Sequence, residues 1–287
     1  MEFKESDKGI LDHNRDIQEI LEELECKYNM EILYACESGS RVWGFENDES
    51  DYDVRGIFKF KNLKDYVKLG KILQQIDYNE HEYDVVLWNI DKSLNLHYKS
   101  NPSLYEWLNS PIVYKGDLCG GDLFKGLPYF DKKNLAHHYS SMCKSQFKKY
   151  REDLPYKVSS KKYLYCTRCI LAYSTITEKD MYPSLNLYDL YDLNKEYLAE
   201  SVKEGIKCFI NNHQKGTGIG FIELAEMNSW ILNSIKIMEN TTLKDVDDGD
   251  YIEIEGERIK LLTGLVNERN YDDYDEYYYE TIISDKL

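Results

Sequence analysis

Apolar residues recur at helical spacing through RDIQEILEELECKY, at Ile17, Ile20, Leu21 and Leu24, and give way to the nearly continuous apolar run MEILYAC. The first segment predicts an amphipathic helix and the second a buried strand. DYDVRGIFKF and EYDVVLWNI read as two further strands. The polar segment between them, NLKDYVKLGKILQQIDYNE, predicts a short helix in its middle. NPSLYEWLNSP predicts a helix that begins after Pro102 and stops before Pro111, with Trp107 and Leu108 turned inward and Glu106 either structural or shaping a site.

Glycines and Pro128 break the rhythm in GDLCGGDLFKGLPYF, which marks a boundary. Beyond it, KNLAHHYSSMCKSQFKKYRE, SKKYLYCTRCILAYSTI, NKEYLAESVKEGIKCFINNH and IGFIELAEMNSWILNSIKIM each carry an apolar stripe of period 3.6. The expected class is therefore α+β, with a mixed sheet and its helices over 1–125 and a helical domain over 126–240. In the remainder, 241–287, DVDDGDYIEIEGERIKLL predicts a small hairpin and NERNYDDYDEYYYETIISDKL an acidic, tyrosine-rich tail. Tyr277, Tyr278 and Tyr279 in that tail are candidate nucleotide acceptors or a cover for a basic rim.

Candidate chemistry concentrates between Glu37 and Phe60, in ESGSRVWGFENDESDYDVRGIFKF. Gly39 permits close backbone approach, while Ser40 and the first N–H groups of a short helix RVWGF offer donors to a triphosphate. Asp51 and Asp53, at i and i+2 of the next strand, point to one side and can supply hard oxygens to divalent metal. Paired metals about 3.5–4 Å apart stabilise in-line displacement at phosphorus. Asp84, a charge inside the apolar strand EYDVVLWNI, is the best third carboxylate, with Glu80, Glu82 and Asp91 as neighbours competing for the role.

The order G-S, gap, D-x-D resembles the DNA polymerase β-like nucleotidyltransferase superfamily. Four blocks, GSRVWGFENDESDYDVRGIF, EYDVVLW, NPSLYEWLNSPIVY and KKYLYCTR, are similar to a predicted nucleotidyltransferase family associated with RNA-repair operons. The likeness runs from roughly Met30 to Leu190, about two-thirds of the chain. It implies a polymerase β-like catalytic domain followed by a mostly helical one, and Mg²⁺ (or Mn²⁺) held by Asp51, Asp53 and Asp84. It also implies Gly39 and Ser40 on the phosphates of an NTP, with ATP the favoured donor. Arg41, Arg55, Lys162 and Arg168 are the expected phosphate contacts. The acceptor is an RNA end or, as in small antitoxin-type members that AMPylate proteins, a protein hydroxyl. A non-catalytic nucleotide-sensing protein on the same fold is the alternative from another class. The acidic end has no counterpart in the family, and the cysteines of CTRC are not required by it.

Composition narrows these readings. A net charge of -16 over 287 residues argues against indiscriminate binding to nucleic acid and leaves selective end recognition open. One basic cluster departs from that background, with Lys148, Lys149, Arg151, Lys157, Lys161, Lys162 and Arg168 opposed mainly by Glu152 and Asp153. It reads as a footprint for triphosphate or nucleic-acid backbone, or as a solvated face. The start MEFKESDKGILDHN lacks the pattern of a signal peptide, and no run of about 18 apolar residues occurs, so secretion and membrane spanning are not expected. Seven cysteines suit free thiols in a reducing cytoplasm, and Cys166 and Cys169 read as buried structural thiols in a helix rather than a metal site. His137 and His138, and the loop KGTGIG that lacks P-loop spacing, read as structural.

Overall fold

Helix α1 (Glu5–Tyr28) lays its apolar stripe on one face of a five-stranded sheet. The computed structural model describes residues 5–62, 72–116, 124, 129–152, 159–216 and 221–241. The strands are β1 (Met30–Glu37), β2 (Tyr52–Phe60), β3 (Gln75–Glu80), β4 (Tyr83–Asn89) and β5 (Val113–Lys115). Their order is β3-β4-β2-β1-β5, with β2 and β4 parallel and every other pair antiparallel.

Alternation along the strands explains the burial. Val54 and Phe58 of β2, with Val85 and Leu87 of β4, join Met30 and Ile32 beneath Ile17, Leu21 and Leu24 of α1. The opposite parity carries Asp53, Arg55 and Ile57 on β2 and Asp84, Val86 and Trp88 on β4 to the other face. That second face is closed at one end by α3 (Ile90–Tyr98) and α4 (Pro102–Leu108), where Trp88 and Trp107 lie 3.7 Å apart between ring centroids. Tyr34 of β1 donates to the Trp107 carbonyl at 2.8 Å. Asp53, Arg55 and Asp84 lie toward the other end of this face.

The helical part comprises α5 (Lys132–Glu152), α6 (Ser160–Lys179), α7 (Leu187–Asn194), α8 (Glu200–Lys215) and α9 (Phe221–Asn240). Residues Met1–Val246 make one compact unit. The mixed sheet followed by a helical region is the α+β arrangement expected from the hydrophobic pattern. One local expectation changes: QQIDYNE, read with the polar segment before the third strand, contributes β3, an edge strand whose single deeply buried side chain is Ile76. A half-solvated edge strand buries too little for its alternation to stand out. The short helix expected in the middle of that segment, the hairpin and tyrosine tail of 241–287, and Arg151 and Lys157 as side chains all lie outside the described residues.

Cys143, Cys166 and Cys169 are fully buried free thiols where α5 meets α6, and burial raises the Cys169 thiol far above its ordinary range. Among the described residues, no helix is long and apolar enough to cross a membrane.

Candidate active site

The turn from β1 into the next helix determines where the carboxylates stand. Helix α2 (Gly39–Trp43) starts at Gly39 with φ +67 and ends at Gly44 with φ +82. A Cβ on Gly39 would come within 1.9 Å of Asp53 Oδ2, so glycine is required both by the backbone angle and by the closeness of the carboxylate. The Ser38 N–H donates to the Asp53 carbonyl at 2.9 Å, which ties the turn to β2. Ser40 is buried, and its hydroxyl has no hydrogen-bond partner among the described residues. An unsatisfied buried hydroxyl is costly.

Parallel pairing of β2 and β4 sets Asp53 directly opposite Asp84. Arg55 bridges them: its Nη2 lies 2.7 Å from Asp53 Oδ1 and 2.8 Å from Asp84 Oδ2. Burial raises the Asp53 carboxyl above its usual range; Arg55 and then Lys161 oppose the shift, while Asp84 and Asp51 add to it. Asp51 stands exposed just before β2, its carbonyl accepting from Arg41 Nε at 3.3 Å. The three aspartates are thus arranged as a facing pair with a third at the strand entrance. Glu80 and Glu82 lie at the β3–β4 turn, and Asp91 opens α3, so register singles out Asp84 as the partner of Asp53.

The other expected residues take distinct places. Arg41 stacks over Tyr52 at 3.8 Å and donates to the Ser50 carbonyl at 2.7 Å, pinning α2 to the acidic loop. Lys161, exposed at the start of α6, is the lysine whose charge acts on Asp53, and Lys162 beside it is half-buried. Arg168 is fully buried: its Nη1 meets Glu106 Oε1 at 2.8 Å and the Trp43 ring lies over its guanidinium at 4.2 Å. Within the basic stretch that runs from Lys144 to Arg168, Lys144 pairs with Glu239 of α9 and Arg168 lies inside.

Glu37 escaped the sequence reading, and Glu106, which that reading left between a structural and a site-shaping part, has its partners here. Glu106 accepts from Trp43 Nε1 at 3.2 Å and Tyr139 Oη at 3.1 Å as well as from Arg168, joining α2, α4, α5 and α6 in one buried network. Glu37, the last residue of β1, is buried and accepts from the Asp53 N–H at 3.0 Å and from Tyr114 Oη at 2.5 Å. A charge closing an apolar strand immediately before S-G-S was the available signal for Glu37.

Burial pushes the Glu37 carboxyl from 4.5 up to about 7, although Tyr114, the Asp53 N–H and Arg41 all favour its anion. The folded chain therefore holds this proton more tightly than the unfolded chain, and stability falls as pH rises between those values. The expected loss from this group is at most about 3 kcal/mol. Urea unfolding across that pH range should show the fall, and Glu37→Gln should flatten it; an unchanged slope in the variant would assign the fall elsewhere.

Residues 13–256 match the RNA repair pathway DNA polymerase beta family. The chain belongs to that family. It is also similar to the uncharacterized protein YcgL of Bacillus subtilis strain 168, with 34% identity over 206 residues, covering 69% of this chain and 77% of the relative. Family membership points to nucleotidyl transfer and to divalent-metal chemistry, as the G-S and D-x-D order implied. Among the described residues, no three His, Cys, Asp or Glu side chains are gathered as a ready metal cage. The donor set nevertheless fits a hard cation, because Asp53 and Asp84 already share one cationic group at hydrogen-bond distance from each carboxylate.

Proposed function

We propose that the protein transfers a nucleoside monophosphate from an NTP, with ATP the favoured donor, to an acceptor hydroxyl, with release of pyrophosphate. The observation that carries this reading is the position of Asp53, which lies against Gly39 of the G-S turn and opposite Asp84 in parallel register. The family assignment supports the same reaction class.

Ser40 directs its unpartnered hydroxyl to a phosphate oxygen, satisfying a buried donor that the described residues leave open. Lys161 and Lys162 approach from α6 and Arg55 from β2, supplying positive charge for the triphosphate. Asp53 and Asp84, with Asp51 at the strand entrance, hold Mg²⁺ or Mn²⁺, which when bound offsets the phosphate charge and polarises the phosphoryl oxygens. Asp84 is 36% exposed in its side chain against 19% for Asp53, which suits it to receive the proton of an incoming hydroxyl. The acceptor oxygen bonds to the α phosphorus as the bond to pyrophosphate breaks. Positioning and electrostatics supply most of such catalysis.

An RNA end is the favoured acceptor because the family is one of RNA repair. The net charge of -16 supports a protein hydroxyl as the second reading, since an acidic protein repels the like-charged phosphate backbone of nucleic acid. Incubation with each α-labelled NTP and separate RNA and protein acceptors tests both. Label on RNA ends with stoichiometric pyrophosphate is expected. Label confined to protein selects AMPylation, and absence of label with any donor or acceptor overturns transfer in favour of a nucleotide-binding protein.

A further inference from the structure

We propose that Arg55 and a divalent cation are alternative bridges between Asp53 and Asp84, so that Arg55 keeps the site closed to metal until a triphosphate draws its guanidinium away. The inference rests on the metal-dependent reading of this site and adds an order of events to it.

Arg55 is held at four points. Nη2 serves both carboxylates at 2.7 and 2.8 Å, while Nη1 donates to the Val54 carbonyl at 3.0 Å and to the Asp84 carbonyl at 2.6 Å. Its side chain is 15% exposed. This is a bridge placed between the two oxygens on facing strands that a metal would use, and two cations cannot share that place without strong repulsion. Without a competing cation, the facing carboxylates would repel each other; Arg55 removes that repulsion and thereby stabilises the metal-free arrangement. Phosphate oxygens match the planar guanidinium fork as well as carboxylates do. A triphosphate seated on the G-S turn therefore gives Arg55 another partner as it vacates the pair, coupling nucleotide to metal through one side chain. Arg41 does not play this part, because its Nε and Nη2 donate to the backbone carbonyls of Asp51 and Ser50 and it bridges no carboxylate pair among the described residues. Lys161 acts on Asp53 from another element and serves as the control for charge alone.

Mn²⁺ binding to the full chain, read as loss of the free-ion electron paramagnetic resonance signal, tests the proposal without reliance on turnover. In the absence of nucleotide, Arg55→Gln should bind Mn²⁺ at least tenfold more tightly than the parent, and Lys161→Gln should change affinity less than threefold. Arg55→Lys, which keeps the charge but cannot make the same fork, should tighten binding at least threefold and stands in if the Gln variant does not fold in EDTA. Affinity for a non-hydrolysable ATP analogue with Mn²⁺ should move the other way, weakening in Arg55→Gln. Equal Mn²⁺ affinity in parent and both Arg55 variants, or equal tightening by Lys161→Gln, overturns the exchange. Nucleotide-dependent Mn²⁺ binding that survives Asp53→Asn and Asp84→Asn overturns instead the reading of the site on which it rests.

Discussion

Replacing Asp53 by alanine should reduce nucleotidyl transfer by at least about a thousandfold, equivalent to roughly 4 kcal/mol of transition-state stabilisation. The carboxylate lies on the second sheet face, paired in register with Asp84 and against the Gly39 turn. Removing it deletes a proposed metal ligand and leaves Asp84, among the described residues, as the one carboxylate on Arg55 Nη2. The fold should persist, because Asp53 contributes no apolar packing to the core beneath α1 and its backbone ladder is untouched. Its Tm should stay within a few degrees while label transfer disappears. Near-parental turnover in Mg²⁺ by a folded variant would remove Asp53 from the site. Asp51→Ala should weaken the reaction in the same direction, and Asp84→Ala should retain nucleotide binding better than chemistry.

The largest loss of stability is expected from Arg168→Met. The guanidinium is wholly buried, bound to Glu106 at 2.8 Å and covered by the Trp43 ring. Its Nε and Nη2 find no hydrogen-bond partner among the described residues, so this pair already carries a desolvation cost. Methionine fills similar volume, but it leaves the Glu106 carboxylate buried with Trp43 and Tyr139 as its donors among the described residues. Breaking one side of a buried pair costs about 3–5 kcal/mol, which for a chain of this size lowers Tm on the order of 10 °C. Replacing both partners, Arg168→Met with Glu106→Leu, should recover part of that loss because no charge then remains uncompensated. Urea unfolding of the single and double variants checks this. A single variant within about 1 kcal/mol of the parent that has lost nucleotide affinity would return Arg168 to the phosphates.

The network around Glu106 also gives α2 a fixed orientation. Trp43, at the end of that helix, donates to Glu106 and packs against Tyr165 of α6 with ring centroids 5.6 Å apart. Just beyond, Gly44 leaves room for Asn186: a Cβ there would lie 2.6 Å from Asn186 Nδ2, the side chain that caps α7. Asn47 Nδ2 donates to the His213 carbonyl at 3.2 Å at the end of α8. Residues of α6, α7 and α8 thus contact the G-S helix and the loop that follows it. A turn on so short a helix gains its rigidity from these tertiary partners, since one turn of helix is unstable alone.

The sequence by itself determined the local pieces: the amphipathic stripe of α1, the strands around the G-S turn and the D-x-D, the capped helix from Pro102, and the helical second half. Each follows from periodicity, caps and turn residues within a window of one element. Tertiary structure alone decided which residues meet. Asp84 rather than Glu80, Glu82 or Asp91 faces Asp53, because the strands pair in parallel with that register. Arg168 turns inward, away from its basic neighbours, because its counter-charge is Glu106, 62 residues earlier. Lys161 reaches the field of Asp53 and Lys144 instead pairs with Glu239, although both belong to one basic stretch. Periodicity tells which face a side chain takes, but the partner opposite it comes from long-range packing, where a buried charge must find an opposite charge or hydrogen bonds.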